Sequence, residues 1–109
     1  MDIETLRDYV LQKPSVTEGF PFGDTVLVFK VFKKIFLLVP LDTAQLQFNV
    51  KCEPENAIEL RELWPDNILP GFHMNKKHWN TVIVDGKLSG KQLLDMVDDS
   101  YRLVGKVKG

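Results

Sequence analysis

The sequence has a single cysteine, Cys52, so no disulfide can form within the chain. That excludes the small secreted scaffolds built on disulfide frameworks and makes a reducing, cytoplasmic setting the expectation. Long apolar runs are also missing. The longest, Ile35 to Leu41, contains Pro40 and falls far short of the ~18 residues of a membrane span. The opening Met1-Asp2-Ile3-Glu4 is acidic and has neither the basic nor the apolar region of a signal peptide. Histidine occurs only twice, at 73 and 78. Five-residue spacing places two histidines on different helix faces, and metal chemistry needs three or four converging ligands, so no metal and no other cofactor is expected. There is no glycine-rich phosphate loop, no hydrolase elbow, and no pair of carboxylates at a convincing spacing.

Neither sign of charge dominates, the net charge being −1. The distribution is uneven. Residues 1–69 hold 7 Lys and Arg against 11 Asp and Glu, and residues 70–109 hold 7 against 4. The C-terminal third therefore offers cations to an acidic partner, although the bland reading is a solvated surface. With 109 residues and 44% hydrophobic content, the chain suffices for one modest core. A single domain over residues 1–109 follows.

Ile3, Leu6 and Val10 lie on one face of a first helix, capped by Asp2 and ended by Pro14. Pro21-Phe22-Gly23-Asp24 reads as a turn. Thr25 to Phe32 and Ile35 to Val39 read as strands that are apolar on both faces. Leu46, Phe48 and Val50 alternate with Gln47, Asn49 and Lys51 in a third strand, giving one packed face and one wet face. Pro54 opens a second helix whose inner face is Ala57, Leu60, Leu63 and Trp64. A strand from Trp79 meets the Asp85-Gly86 turn. Ser89 and Gln92 then form a capping box for a last helix lined by Leu93, Val97, Tyr101 and Val104. The order is helix, three or four strands, helix, one or two strands, helix. The fold class expected is α+β: a two-layer sandwich of an antiparallel sheet with helices packed on one face. The uncovered apolar sheet face would favour a homo-oligomer or a protein partner.

The densest stretch is Pro70 to Val82. It holds a Pro-Gly turn, both histidines, the Lys76-Lys77 pair, and Trp79 at a strand start. Asn75 is placed to cap a helical turn by accepting from Lys77 or His78. Lys76 and Lys77 could hold a phosphate there, and an imidazole bonded to a carbonyl could fix the bend. Trp79 could stack on a base, or pack half-buried as a structural keystone. Cys52 precedes a helix N-terminus, which lowers a thiol pKa, and a nearby histidine would make it a nucleophile; the simpler reading is a buried cysteine.

Together, Pro21-Phe22-Gly23, Val26 to Val31, Lys51-Cys52-Glu53-Pro54-Glu55, Pro70 to Val82 and Ser100-Tyr101 resemble the MmcQ/YjbR family of small bacterial proteins. The likeness runs over essentially the whole chain. It implies a compact α+β fold, sometimes described as a double-wing arrangement, and a DNA-binding label given on structural grounds. It brings no catalytic residues. Pro21, Phe22, Gly23, Cys52, Pro54, His73, Asn75, Trp79 and Tyr101 are then motif positions with structural roles, Tyr101 packing with its hydroxyl tied to a loop. The family often has a glycine-rich turn where this chain reads Val31-Phe32-Lys33-Lys34, so a longer or bulged loop with Phe32 exposed is expected. The function expected is non-catalytic binding. DNA is the named partner, held weakly and salt-dependently by Lys76, Lys77, His78, Arg102, Lys106 and Lys108. The alternatives are a self-association or protein-interaction module, and a small enzyme using Cys52 with a histidine.

Overall fold

A computed structural model of the chain describes residues 1–106. Its elements run α1 (Ile3–Leu11), β1 (Val16–Gly19), β2 (Val26–Val31), β3 (Lys34–Pro40), β4 (Gln47–Lys51), α2 (Pro54–Leu63), β5 (Ile68–Pro70), β6 (Trp79–Ile83) and α3 (Gly90–Val104). The strands form one six-stranded sheet in the order β1-β2-β3-β4-β6-β5. Each neighbouring pair is antiparallel. Local chemistry sets the helix starts. Asp2 accepts from the Thr5 N–H at 2.8 Å, Pro54 sits in the first turn of α2, and Ser89 with Gln92 closes a capping box on α3.

Strand alternation divides the sheet into two faces. Leu27, Phe29 and Val31 of β2, Leu37 and Val39 of β3, Phe48 and Val50 of β4, and Val82 of β6 point to one of them. They join Leu6 and Val10 of α1 and Leu93, Met96, Val97 and Val104 of α3 in one core. The result is a two-layer α+β sandwich. Burying each of its large side chains contributes roughly 1.5–3 kcal/mol.

Val28 and Leu38 point to the opposite, helix-free face and are nevertheless buried. The expected bare apolar face is thus corrected. The connections around Phe20–Thr25 and Phe72–Met74 rise over it and wall a cleft. Asn49, read as lying on a wet face, is buried beneath those connections at 6% exposure.

The β2–β3 loop is not longer than an ordinary hairpin. Val31 pairs with Lys34, leaving a two-residue turn of Phe32 and Lys33. Both turn residues adopt positive φ, 49° and 68°. Such turns favour Asn and Gly, and Phe in this region is strained. The irregularity lies further along. Phe29 pairs with Leu37 but Lys30 with Ile35, so Phe36 is a bulge residue. It turns into the core, edge-on to the Tyr101 ring at 5.4 Å.

The bulge shortens the β3–β4 ladder to two pairs, Leu37 with Val50 and Leu38 with Asn49. Ser100 of α3 fills the gap. Its buried hydroxyl donates to the Phe36 carbonyl at 2.6 Å and accepts from the Lys51 N–H at 2.9 Å. The next residue ties α3 to the end of α1, the Tyr101 hydroxyl donating to the Pro14 carbonyl at 2.6 Å. Lys13 pairs with Asp98 at 2.6 Å and lies over both the Tyr9 and Tyr101 rings.

Removing the Ser100 hydroxyl leaves a buried carbonyl and a part-buried N–H without partners. Ser100→Ala is therefore expected to cost about 2–4 kcal/mol, read from the midpoint of urea unfolding. A variant that unfolds at the parental midpoint would show that the bulge does not depend on this bridge.

Candidate functional site

The bend before β6 is held mainly by main-chain bonds. Lys77 N–H is capped by Asn75 Oδ1 at 3.0 Å, and the His78 and Trp79 N–H groups donate to the Asn75 carbonyl. Gly71 and Trp79 bond through their backbones at 2.9 Å. A Cβ at Gly71 would lie 2.8 Å from Trp79 Cβ, so only glycine fits this approach. Arg61 of α2, which the sequence reading missed, clamps the bend from the helix side. Its guanidinium donates to Asn80 Oδ1 at 2.8 Å and to the carbonyls of Lys76 and Trp79.

Several expectations change as a result. No imidazole hydrogen bond fixes the bend among the described residues, because both histidines act through their backbones. His73 takes φ 57°, and the His78 carbonyl accepts from Cys52 N–H at 2.8 Å. Lys76 and Lys77 do not frame a phosphate cradle. The N–H groups of residues 77–79 are already bonded, and Lys76 Nζ donates to the Gly71 carbonyl at 3.1 Å. Trp79, by contrast, is half-buried as one of its two readings has it, and stands outside the main core.

The bend also walls the cleft on the helix-free face, whose volume is about 590 Å³. Val26, Leu38, Gln47 and Asn49 form its floor, with Phe22 on one flank and Phe72, His73 and Met74 on the other. Two of the motif segments, Pro21–Gly23 and the central stretch, thus meet across β2, β3 and β4. Phe22 is presented by a turn that closes from Gly23 N–H to the Phe20 carbonyl, with Pro21 at its second position and Gly23 at φ 106°. Rim and floor are joined by a relay. Phe72 N–H donates to Thr81 Oγ1 at 3.0 Å, and the Thr81 hydroxyl donates to Asn49 Oδ1. Gln47 and Asn49 escaped the sequence reading because an amide on an alternating strand looks like solvent-facing surface.

The cations fall mostly elsewhere. Lys33 and Lys34 follow the exposed Phe32 at the hairpin tip, at the other end of β2 and β3 from the cleft. Gly105, at the end of α3, packs against Val31 beside this tip and is followed by the exposed Lys106. Arg102 pairs with Asp99. Both Arg102 and Lys106 line a hollow with Cys52, Glu53, Asn56 and Asp99, so carboxylates are interleaved with them. Lys108 lies outside the described residues.

The YjbR family model matches residues 11–103. The chain belongs to the YjbR family. It is 37% identical over 101 residues to the uncharacterized protein YbdF of Escherichia coli O157:H7, covering 93% of this chain and 82% of that one. It is 32% identical over 102 residues to the uncharacterized protein YjbR of Escherichia coli K12, covering 94% and 86%. Among solved structures it superimposes on Deinococcus radiodurans protein DR2400, with its DUF419 domain, at a TM-score of 0.90 and 39% identity, covering 95% and 78%. A Pseudomonas syringae protein aligns at 0.78 and 25% identity, covering 95% and 99%.

Within this YjbR-family fold, Cys52 is buried at the end of β4. Burial pushes its thiol pKa up, and Asp99 pushes it further in the same direction; Arg61 and the Glu53 N–H oppose them less strongly. The helix N-terminus ahead of it does not win; among the described residues no histidine lines its hollow, and His78 meets Cys52 through its carbonyl. A group whose folded pKa is raised stabilises the fold below its ordinary value. This contribution is lost as pH climbs past about 8.5 towards the folded value. Iodoacetamide at pH 8 is expected to label Cys52 more slowly in the folded protein than in urea. Faster labelling of the folded protein would restore the nucleophile. At the bend, Gly71→Ala is expected to cost about 1–3 kcal/mol by overpacking. An unchanged melting temperature would show that the close approach relaxes freely.

Proposed function

We propose that this YjbR-family protein is a non-catalytic binding protein of the cytoplasm whose partner is nucleic acid, contacted weakly through the hairpin tip. The observation that carries the reading is the tip itself. Phe32 is 54% exposed at a strained positive φ, with Lys33 and Lys34 beside it and Lys106 at the neighbouring end of α3. Strain retained at an exposed aromatic residue points to use rather than packing. The tip supplies the cations Lys33 and Lys34 in place of the internally bonded Lys76. About three contacts of this kind give a slope of log affinity against log salt near −3 on duplex DNA. Glu55, Glu59 and Glu62 on α2 repel a phosphate backbone, so the duplex approaches from the tip. The raised thiol pKa of Cys52 and the absence of a histidine at its hollow among the described residues support a role without catalysis.

Self-association is the rival, and it draws on the exposed Phe20, Phe22, Leu41 and Phe72. Fluorescence anisotropy with a short labelled duplex, at low and moderate salt, separates the two. Binding is expected at low salt, lost with added salt and in Lys33→Ala/Lys34→Ala, and kept in Lys76→Ala/Lys77→Ala. No binding at low salt, with sedimentation as a dimer, would overturn the nucleic-acid reading in favour of self-association.

A further inference from the structure

We propose that the cleft on the helix-free face binds a neutral, planar heteroaromatic carbonyl compound, with the shape and polarity of a free nucleobase or nucleoside. It would be seated against Phe22 and Phe72 and read by the side-chain amide of Asn49. The proposal concerns a different end of the sheet from the hairpin tip and stands independently of duplex binding.

Asn49 is held in one orientation by its neighbours. Its Oδ1 is occupied by the Thr81 hydroxyl, which is itself held by Phe72 N–H. The amide is thereby turned so that its Nδ2 donor faces away from Thr81. No hydrogen bond among the described residues uses that donor. The residue is only 6% exposed, yet among the described residues no fully buried side-chain polar atom lacks a partner. Nδ2 therefore reaches the cleft, the opening that Asn49 lines. An oriented donor at the floor of an apolar opening suits a carbonyl or ring-nitrogen acceptor. Gln47, two residues along the same strand and on the same face, brings a second amide to the lining, its backbone about 7 Å from that of Asn49. The Asn49 donor, together with a Gln47 amide that carries both donor and acceptor, matches the edge of a base.

The rim is aromatic and exposed. Phe22 is 63% exposed and Phe72 45% exposed. Neither Phe22 nor Phe72 belongs to the core. Each is set in place by an ordered turn, one with Gly23 at φ 106° and the other next to His73 at φ 57°. Rings fixed at a rim provide flat faces on which a planar ligand stacks. The volume of about 590 Å³ is that of a small-molecule site.

Among the described residues no lysine or arginine lines the cleft, whereas Asp42 and His73 do. A phosphate would meet the Asp42 carboxylate without a lysine or arginine of the described residues beside it, which disfavours nucleotides and nucleic-acid backbone. The same carboxylate can accept a hydrogen bond from an amino group or a sugar hydroxyl.

The test is a titration of the isotope-labelled full chain with uridine, cytidine, adenosine and guanosine, each beside its 5′-monophosphate. At least one nucleoside is expected to shift the amides of Phe22, Asn49, Phe72, His73 and Met74 saturably, and its monophosphate to bind more weakly. Phe22→Ala removes an exposed ring without disturbing the core and is expected to weaken binding about tenfold. Asn49→Asp keeps the acceptor for Thr81 while removing the donor, and a loss of about tenfold or more is expected. Lys33→Ala/Lys34→Ala is expected to bind the nucleoside as the parent does. Absence of saturable shifts at millimolar nucleoside would overturn the proposal. So would parental affinity in both cleft variants, or tighter binding of the monophosphate. Concentration-dependent shifts of the same amides without ligand, in a protein that sediments as a dimer, would assign the cleft to a second copy instead.

Discussion

The architecture depends on one hydroxyl. Bulging Phe36 into the core breaks the β3–β4 ladder after two residue pairs, and two backbone groups would be left without partners at the centre of the sheet. Ser100 satisfies both at once from the helix above. Buried backbone groups must be paired, so the bulge and the helical serine require each other. The position of α3 follows. With Ser100 seated over the gap, Tyr101 meets Phe36 and Pro14, and Met96, Val97 and Val104 fall onto the sheet. Alanine there would pack equally well and still fail, because an unmet hydrogen bond costs more than a methyl group contributes.

The same bulge shapes the opposite face. Shifting the register by one residue puts Leu37 and Val39 in the core and Leu38 on the floor of the cleft. Without it, the inward and outward sets of β3 would exchange from Phe36 onward. The cleft floor and the core are two consequences of one irregularity. This is why a chain with strands apolar on both faces need not expose the second one.

Much of this was legible in the sequence because it is local. Asp2, Pro54, Ser89 and Gln92 set helix starts within a few residues of themselves, and the Asn75 cap is equally short-range. Periodicity separated β2, β3 and β4 from the helices. β1 and β5 were less distinct because strands of four and three residues carry little alternation. The bulge was anticipated at the wrong place, since a turn of Phe32 and Lys33 looks too strained to be tight. The cleft was hidden for a different reason. Phe22, Leu38, Asn49 and Phe72 are spread over fifty residues, and only the strand order brings them together. Arg61 was hidden likewise, for an arginine on a helix reads as solvation until its carbonyl partners are known.

The central stretch could be singled out before its purpose could be stated, because it carries two tasks on one backbone. Its N–H groups and carbonyls are consumed by Asn75, Gly71, Arg61 and Cys52. That leaves little freedom for the loop and little backbone for a ligand. What remains to face outward is side chain: Phe72, His73 and Met74 at the rim. A wall whose main chain is already ordered loses little entropy when something binds beside it. The relay from Phe72 N–H through Thr81 to Asn49 extends that order to the floor. Rim and floor are therefore fixed relative to each other before any ligand arrives. The strain at His73 is tolerable because neighbouring bonds over-determine the bend around it. Rigidity that looks purely structural from the helix side is, from the cleft side, preorganisation.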